Sequence, residues 1–404
     1  MQQQMDRGFD LEARLQSREE RGLRRDLAPV DRVEPRARRV PDPGADVPAF
    51  DADAEEMLVF AANDYLGLAG DARLAEAAAR TAHEVGTGAG ASRLVVGDTS
   101  AHRELEHALV KSKETERALA FSSGYAANIG TITALAPDAI FSDELNHASI
   151  IDGCRLSGAD IEVYDHCDAS DLRTTMDRRA READGEESWL VVTDSVFSMD
   201  GDIAPLRMIC SATERHGAWV MVDEAHATGV YDGGMVGQLG LEDRVHVQLG
   251  TLSKALGAQG GFVAGNEMLI EYLANAARSF VFSTGLSPPA AGAAQEALRI
   301  ARETDRPQTL QDHADYLRSG FEDLGFRVLG ETHILPVLVG DREDAVALDE
   351  ALRDRGVLAP AIRPPTVPVG MSRLRVAPTA AHTREQLDRC LDAFEAAGEE
   401  VGLR

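Results

Sequence analysis

From residue 57 onward, short apolar runs alternate with stretches of helical character. Strand-sized runs fall at 118–121, 139–141, 161–164, 189–193, 219–222, 245–249 and 262–264, after a shorter one at 57–61. Helical segments are expected at 71–84, 101–110, 126–135 and 147–156. This βα alternation predicts an α/β fold whose mostly parallel sheet is covered on both faces. In such sheets the ligand crevice lies at the carboxyl ends of the strands. Beyond Pro288, a helical segment, a strand at 333–339, a further helix and a strand around Val376 suggest a smaller α+β domain. Residues 1–56 look different. Leu11, Leu15, Leu23 and Leu27 have helical spacing, and an arm rich in Pro and Arg follows at 29–48 and is expected to be partly ordered. The predicted organisation is therefore an N-terminal helix and arm (1–56), a large α/β domain (57–287) and a small C-terminal domain (288–404).

Composition narrows the function. The chain has 404 residues with 41 basic and 68 acidic side chains, a net charge of −27. A surface this acidic repels nucleic acid and anionic membrane, so neither is an expected partner. No apolar run approaches a membrane span, and the first residues contain no apolar signal core, so a cytoplasmic location is expected. Cys154, Cys167, Cys210 and Cys390 show no metal-ligand spacing, so free thiols and no metal are expected. High acidity with scarce lysine suggests a halophilic source, in which salt screens the self-repulsion.

Lysine is the informative residue. Lys111, Lys113 and Lys254 are the only three, and the other 38 basic residues are Arg. Lys254 follows an apolar run and precedes Gly257, Gly260 and Gly261. A lysine kept in such a place points to an amine that must lose its proton, which Arg cannot do; Lys can form a Schiff base. Other strand ends carry matching chemistry. Ser122-Ser123-Gly124-Tyr125 opens a helix with small residues, a phosphate cradle. His147 stands at a strand-to-helix junction, where its ring could stack on a planar ligand. Asp223 ends an apolar strand and needs a cation to offset its burial. His226 lies three residues on, within reach of the same ligand. An acid for a protonated ring nitrogen, a Schiff-base lysine and a phosphate cradle suit pyridoxal 5'-phosphate. Gly86 to Ala91 (GTGAGA) matches a dinucleotide fingerprint, but it follows a helix where a strand is required.

Six stretches carry a family resemblance: NDYLGL at 63–68, FSSGYAAN at 121–128, FSMDGD at 197–202, DEAHATG at 223–229, TLSKALG at 251–257 and RPPTVPVGMSRLR at 363–375. Together they resemble the α-oxoamine synthases, a branch of the fold-type I pyridoxal phosphate enzymes with the aminotransferase-like fold. The likeness spans roughly residues 61–381. It implies an acyltransferase that condenses L-alanine with a pimeloyl thioester, carried by CoA or an acyl carrier protein, with loss of CO2. A sister activity on glycine and acetyl-CoA and a non-catalytic protein on the same fold are the alternatives. By position, the resemblance gives Lys254 the cofactor and the α-proton. Asp223 takes the pyridinium nitrogen, His226 and Ser198 the phenolic oxygen side, and His147 the ring face. Gly124, Tyr125 and Thr251 bind the phosphate, and Thr284 reaches the phosphate in a neighbouring subunit, which implies a homodimer with shared active sites. Arg375 and Asn63 take the amino-acid carboxylate, and Arg24 meets the far end of the acyl chain.

Overall fold

The computed structural model describes residues 8–24, 27, 29–38, 56–183 and 185–403. All seven runs between 118 and 264 form one sheet. Its spatial order is Arg117–Phe121, Gly261–Gly265, Val247–Thr251, Trp219–Asp223, Trp189–Asp194, Ala139–Asp143, Asp160–Tyr164. Gly261–Gly265 runs antiparallel to both neighbours, and the other pairings are parallel. The strand side chains alternate between two cores. Leu190 and Val192 join Leu119, Met221 and Leu249 on one face; Val191 joins Val220, Val222 and Phe141 on the other. With both faces buried, such strands read as unbroken apolar runs.

The helices begin where capping chemistry starts them. Asp71 caps Ala72–Glu84 by accepting from Arg73 N, and Ser123 caps Gly124–Leu135 by accepting from Ala126 N. His147 caps Ala148–Ser157 through its own ring, which accepts from Ser149 N. Pro at the first turn starts Pro288–Glu303, whose Ala291, Ala294 and Ala297 pack into the large core.

A second core gathers Leu58 and Phe60 with Leu317, Phe321, Val337, Leu348, Leu374 and Phe394. It lies against a four-stranded antiparallel sheet ordered Arg327–Val328, Leu335–Gly340, Ser372–Val376, Ala361–Ile362. Residues just after the N-terminal arm thus complete the packing of the C-terminal third.

Two expectations change. The first helix covers only Leu11–Glu20 and buries no side chain, because among the described residues its apolar positions face no partner; Leu27 is fully exposed. The strand expected at 333–339 begins at Leu335. The arm contributes a strand, Arg36–Arg38, antiparallel to Glu56–Val59, which pairs in parallel with Val357–Leu358. The rest of the arm, 39–48, lies outside the described residues. The glycine run at 86–91 follows helix Ala72–Glu84 and leads into a single wide turn, Arg93–Gly97, so no strand precedes it. Among the described residues no helix is long and apolar enough to cross a membrane.

Candidate active site

The carboxyl ends of the parallel strands converge on one crevice. Asp223 is the last residue of its strand and is 3% exposed. One carboxylate oxygen accepts from Asn128 Nδ2 at 2.7 Å and the other from Ala225 N at 2.8 Å. Asn128 also donates to Ser149 Oγ at 2.9 Å, which ties the Gly124–Leu135 helix to helix Ala148–Ser157. Among the described residues Asp223 forms no ion pair within 4 Å. Asp194 stands beside it in register on the neighbouring strand. Burial, and then the like charge of Asp223, push the Asp194 carboxyl well above the usual carboxylate range. Its side chain accepts from His147 N at 2.9 Å, so the two strand ends hold the loop carrying His147.

Lys254 follows Thr251, where Val247–Thr251 ends in a turn closed by Gly257 N donating to the Lys254 carbonyl. Gly257 has φ +57, and a Cβ there would meet Ala69 N at 2.4 Å, so this turn requires glycine. Burial pushes the Lys254 amine down to about 8, although Asp223 and Asp194 pull the other way; Arg375 adds to the fall. Its Nζ lies 2.7 Å from His226 Nε2. The His226 imidazole is held neutral, first by burial and then by the charge on Lys254.

His226 is the middle of a longer chain. Its Nδ1 lies 2.7 Å from the hydroxyl of Tyr65, which is fully buried. That oxygen accepts from Arg375 Nη2 at 3.0 Å, and Tyr65 reaches Asn63 Oδ1 at 2.9 Å. Arg375 also donates to Asn63 Oδ1 at 3.0 Å and, through Nε, to the Ser198 carbonyl at 2.7 Å. One connected network therefore runs Arg375–Tyr65–His226–Lys254.

The cradle side is built from small residues. Helix Gly124–Leu135 presents its N-terminus toward strand Gly261–Gly265: a Cβ on Gly261 would lie 2.5 Å from Gly124 N. The Thr251 hydroxyl donates to the Gly260 carbonyl at 3.0 Å and lies 2.8 Å from Ser253 Oγ. Tyr125 is half exposed at the helix start.

Of the residues read from the sequence, the structure groups Lys254, Asp223, His226, Asn63, Ser198 and Arg375, with His147 tied in through Asp194. Gly124 and Thr251 form the adjoining cradle. Two are elsewhere in this chain. Arg24 is exposed and paired with Glu19 at 2.8 Å, and Thr284 is exposed in the loop before helix Pro288–Glu303. Tyr65, Asn128 and Asp194 were not read from the sequence. Asp194 carries the signal that marked Asp223, an acid ending an apolar strand; Tyr65 and Asn128 lie inside the NDYLGL and FSSGYAAN stretches.

These residues fit pyridoxal phosphate: a buried carboxylate without a cation, an amine near neutrality, and a backbone cradle in which side chains would collide. The comparisons agree. The chain belongs to the aminotransferase class I and II family, whose model matches residues 55–394. It is 47% identical over 358 residues to the 8-amino-7-oxononanoate synthase of Lysinibacillus sphaericus, covering 87% of this chain and 91% of that one. The synthase of the same name from Anaeromyxobacter dehalogenans is 47% identical over 392 residues, covering 95% and 94%. A variant of serine palmitoyltransferase from S. paucimobilis, solved with a pyridoxal phosphate–myriocin aldimine, is 31% identical and superposes with a TM-score of 0.87, covering 98% of each chain. The fold is thus that of the fold-type I pyridoxal phosphate enzymes. Within the family, the chain sits among relatives named 8-amino-7-oxononanoate synthase.

Proposed function

We propose that this protein joins L-alanine to a pimeloyl thioester, forming 8-amino-7-oxononanoate for biotin synthesis and releasing CO2 and the thiol carrier. The observation that supports it most is the network Arg375–Tyr65–His226–Lys254 facing Asp223. It sets a carboxylate grip and a proton-moving amine at opposite ends of one connected set. Pyridoxal phosphate, when bound, supplies the electron sink that makes the amino acid's α-proton removable.

The chain's own residues do the rest. Arg375 takes the alanine carboxylate, since its planar fork suits bidentate contact and Asn63 and the Ser198 carbonyl fix its orientation. Lys254 Nζ moves the α-proton. An amine near 8 is partly unprotonated at neutral pH and still basic enough to accept it. Neutral His226 meets Nζ without adding a competing positive charge. Asp223 would hold the ring nitrogen, Gly124, Tyr125 and Thr251 the phosphate, His147 the ring face, and His226 and Ser198 the phenolic oxygen side.

The assembly, source and location complete the reading. Leu94, Val95, Val96 and Phe282 are half exposed or more, and Thr284 lies next to Phe282. A homodimer that buries this apolar edge and lends Thr284 to the partner's phosphate site accounts for both. The −27 charge supports a halophilic source, and the cytoplasm remains the expected location. Arg24 has the acyl end as its role, reached if its exposed pair with Glu19 opens.

The test is a visible spectrum of the purified protein in molar salt, followed by L-alanine and then pimeloyl-CoA. A cofactor band perturbed by alanine, then thiol release on adding the thioester, is expected. Response to glycine and acetyl-CoA instead moves the protein to the sister activity. Lys254→Ala should remove both the cofactor band and turnover, and surviving turnover would remove Lys254 from its role.

A further inference from the structure

Behind the turn that carries Ser198 stands a histidine with a carboxylate at each ring nitrogen, which the proposed reaction does not use. His166 follows strand Asp160–Tyr164. Its Nδ1 lies 2.9 Å from Oδ1 of Asp143, the last residue of strand Ala139–Asp143, and its Nε2 lies 3.4 Å from Asp202 Oδ2. Cys167 Sγ also faces Nε2, at 3.6 Å. A neutral imidazole has one N–H and would turn its bare nitrogen toward a carboxylate oxygen, lone pair against lone pair. The imidazolium donates at both nitrogens. Burial opposes a charge on this ring, but the Asp143 and Asp202 carboxylates outweigh it and raise His166 to about 12. Asp143 is itself fixed: it is 2% exposed and accepts from Leu145 N and Cys167 N, both at 2.9 Å.

What the ring holds is the turn at 197–202. Phe197 packs perpendicular to it, with ring centroids 4.4 Å apart, and the Asp202 carbonyl closes the turn by accepting from Phe197 N at 3.0 Å. His166 therefore grips both ends of the turn from the side of the large sheet. The carbonyls of the turn face the C-terminal domain. That of Ser198 accepts from Arg375 Nε at 2.7 Å, that of Met199 from Arg373 Nη1 at 3.1 Å, and that of Gly201 from Thr332 Oγ1 at 3.0 Å. Asp200 pairs with Arg373, which is buried, at 2.6 Å. The Ser198 bond bears on the chemistry, because bidentate contact with a carboxylate depends on the orientation of the guanidinium plane.

We propose that His166, as an imidazolium bridging Asp143 and Asp202, is a positioning residue for the amino-acid carboxylate: it sets the 197–202 turn and, through the Ser198 carbonyl, the aim of Arg375. This rests on the reading above in which Arg375 takes the alanine carboxylate. Because His166 acts through Arg375, its effect is confined to ligands that carry a carboxylate.

The holoenzyme is titrated with L-alanine and with ethylamine, the same amine without the carboxylate, and the visible cofactor band reports binding. Asp202→Asn keeps the shape of the side chain and removes its charge; His166→Gln offers one donor nitrogen where the ring offers two. The dissociation constant for alanine should rise in both, by about tenfold in His166→Gln, while that for ethylamine and the KM for the pimeloyl thioester stay within about twofold of wild type. The double variant should bind alanine no more weakly than His166→Gln alone, since both changes break one bridge. Alanine affinity unchanged in both single variants, or lost in step with that for ethylamine, overturns the proposal. Asp202 is 41% exposed, so Asp202→Asn keeps the test decisive if His166→Gln fails to fold. A wild type blind to alanine overturns the carboxylate reading and this inference with it. A wild type that binds alanine, with variants that bind it equally well, overturns this inference alone.

Discussion

Tyr65 shows how much one hydroxyl can organise. It joins Arg375 to His226, residues brought together only by the fold: Tyr65 and His226 are 161 positions apart, and Asn63 and Arg375 are 312 apart. Tyr65→Phe leaves a buried His226 nitrogen without its partner and Arg375 with one fewer acceptor, at a cost of about 1–3 kcal/mol. The expected result is a KM for alanine raised about tenfold or more, against little change in the KM for the thioester, measured by steady-state kinetics. Lys254 makes a pH prediction with a definite sign. Its folded pKa, about 8, lies below its ordinary 10.5, so the unfolded chain binds more protons between those values. Stability conferred through this group therefore rises with pH across that window. Urea unfolding of cofactor-free protein should show wild type gaining on Lys254→Met from pH 8 to 10.5, by roughly 3 kcal/mol at most. A gap that stays flat would mean the amine is not depressed.

At the scale of elements, the site rests on where strands stop and helices start. The inner strands were legible because burial on both faces writes itself as continuous apolar sequence; the edge strand Asp160–Tyr164 is largely exposed. Asp223 was legible because its cost of burial demands a partner. Asp194 carries the same signal, but a sequence does not show that its strand lies beside that of Asp223, whose charge adds to burial in raising the Asp194 carboxyl. The N-terminal helix was overread for the opposite reason: leucines at helical spacing make a core face only if something packs there, and among the described residues nothing buries them. The cradle makes its own prediction. In Gly261→Ala, the added Cβ meets the backbone of Ser123 and Gly124 at 2.5 Å, so the start of helix Gly124–Leu135 must move. Cofactor titration should show affinity weakened by about 1–3 kcal/mol, the usual range for overpacking. Unchanged affinity would mean that the helix start is not where the phosphate sits.

For the whole molecule, charge dominates. A net −27 makes the compact chain repel itself at low ionic strength, and added salt screens this within about 10 Å at 0.1 M. The melting temperature should climb from dilute buffer into molar NaCl; a flat or falling trend, followed by scanning calorimetry, removes the halophilic reading. Screening also bears on the thioester, because an acidic carrier protein would meet a repelling surface in dilute buffer and a tolerant one in brine.

The same scarcity of lysine gives this protein an uncommon surface chemistry. Lys113 is 1% exposed and locked to buried Glu224, while Lys254 sits in the crevice against His226. Lys111 alone among the lysines is freely exposed, near the end of helix Ser100–Lys113. A reagent that seeks lysine side chains in the folded state therefore finds one outward address. Coupled through it to a bead or a sensor chip, every molecule would be tethered at one fixed point, with its crevice turned the same way.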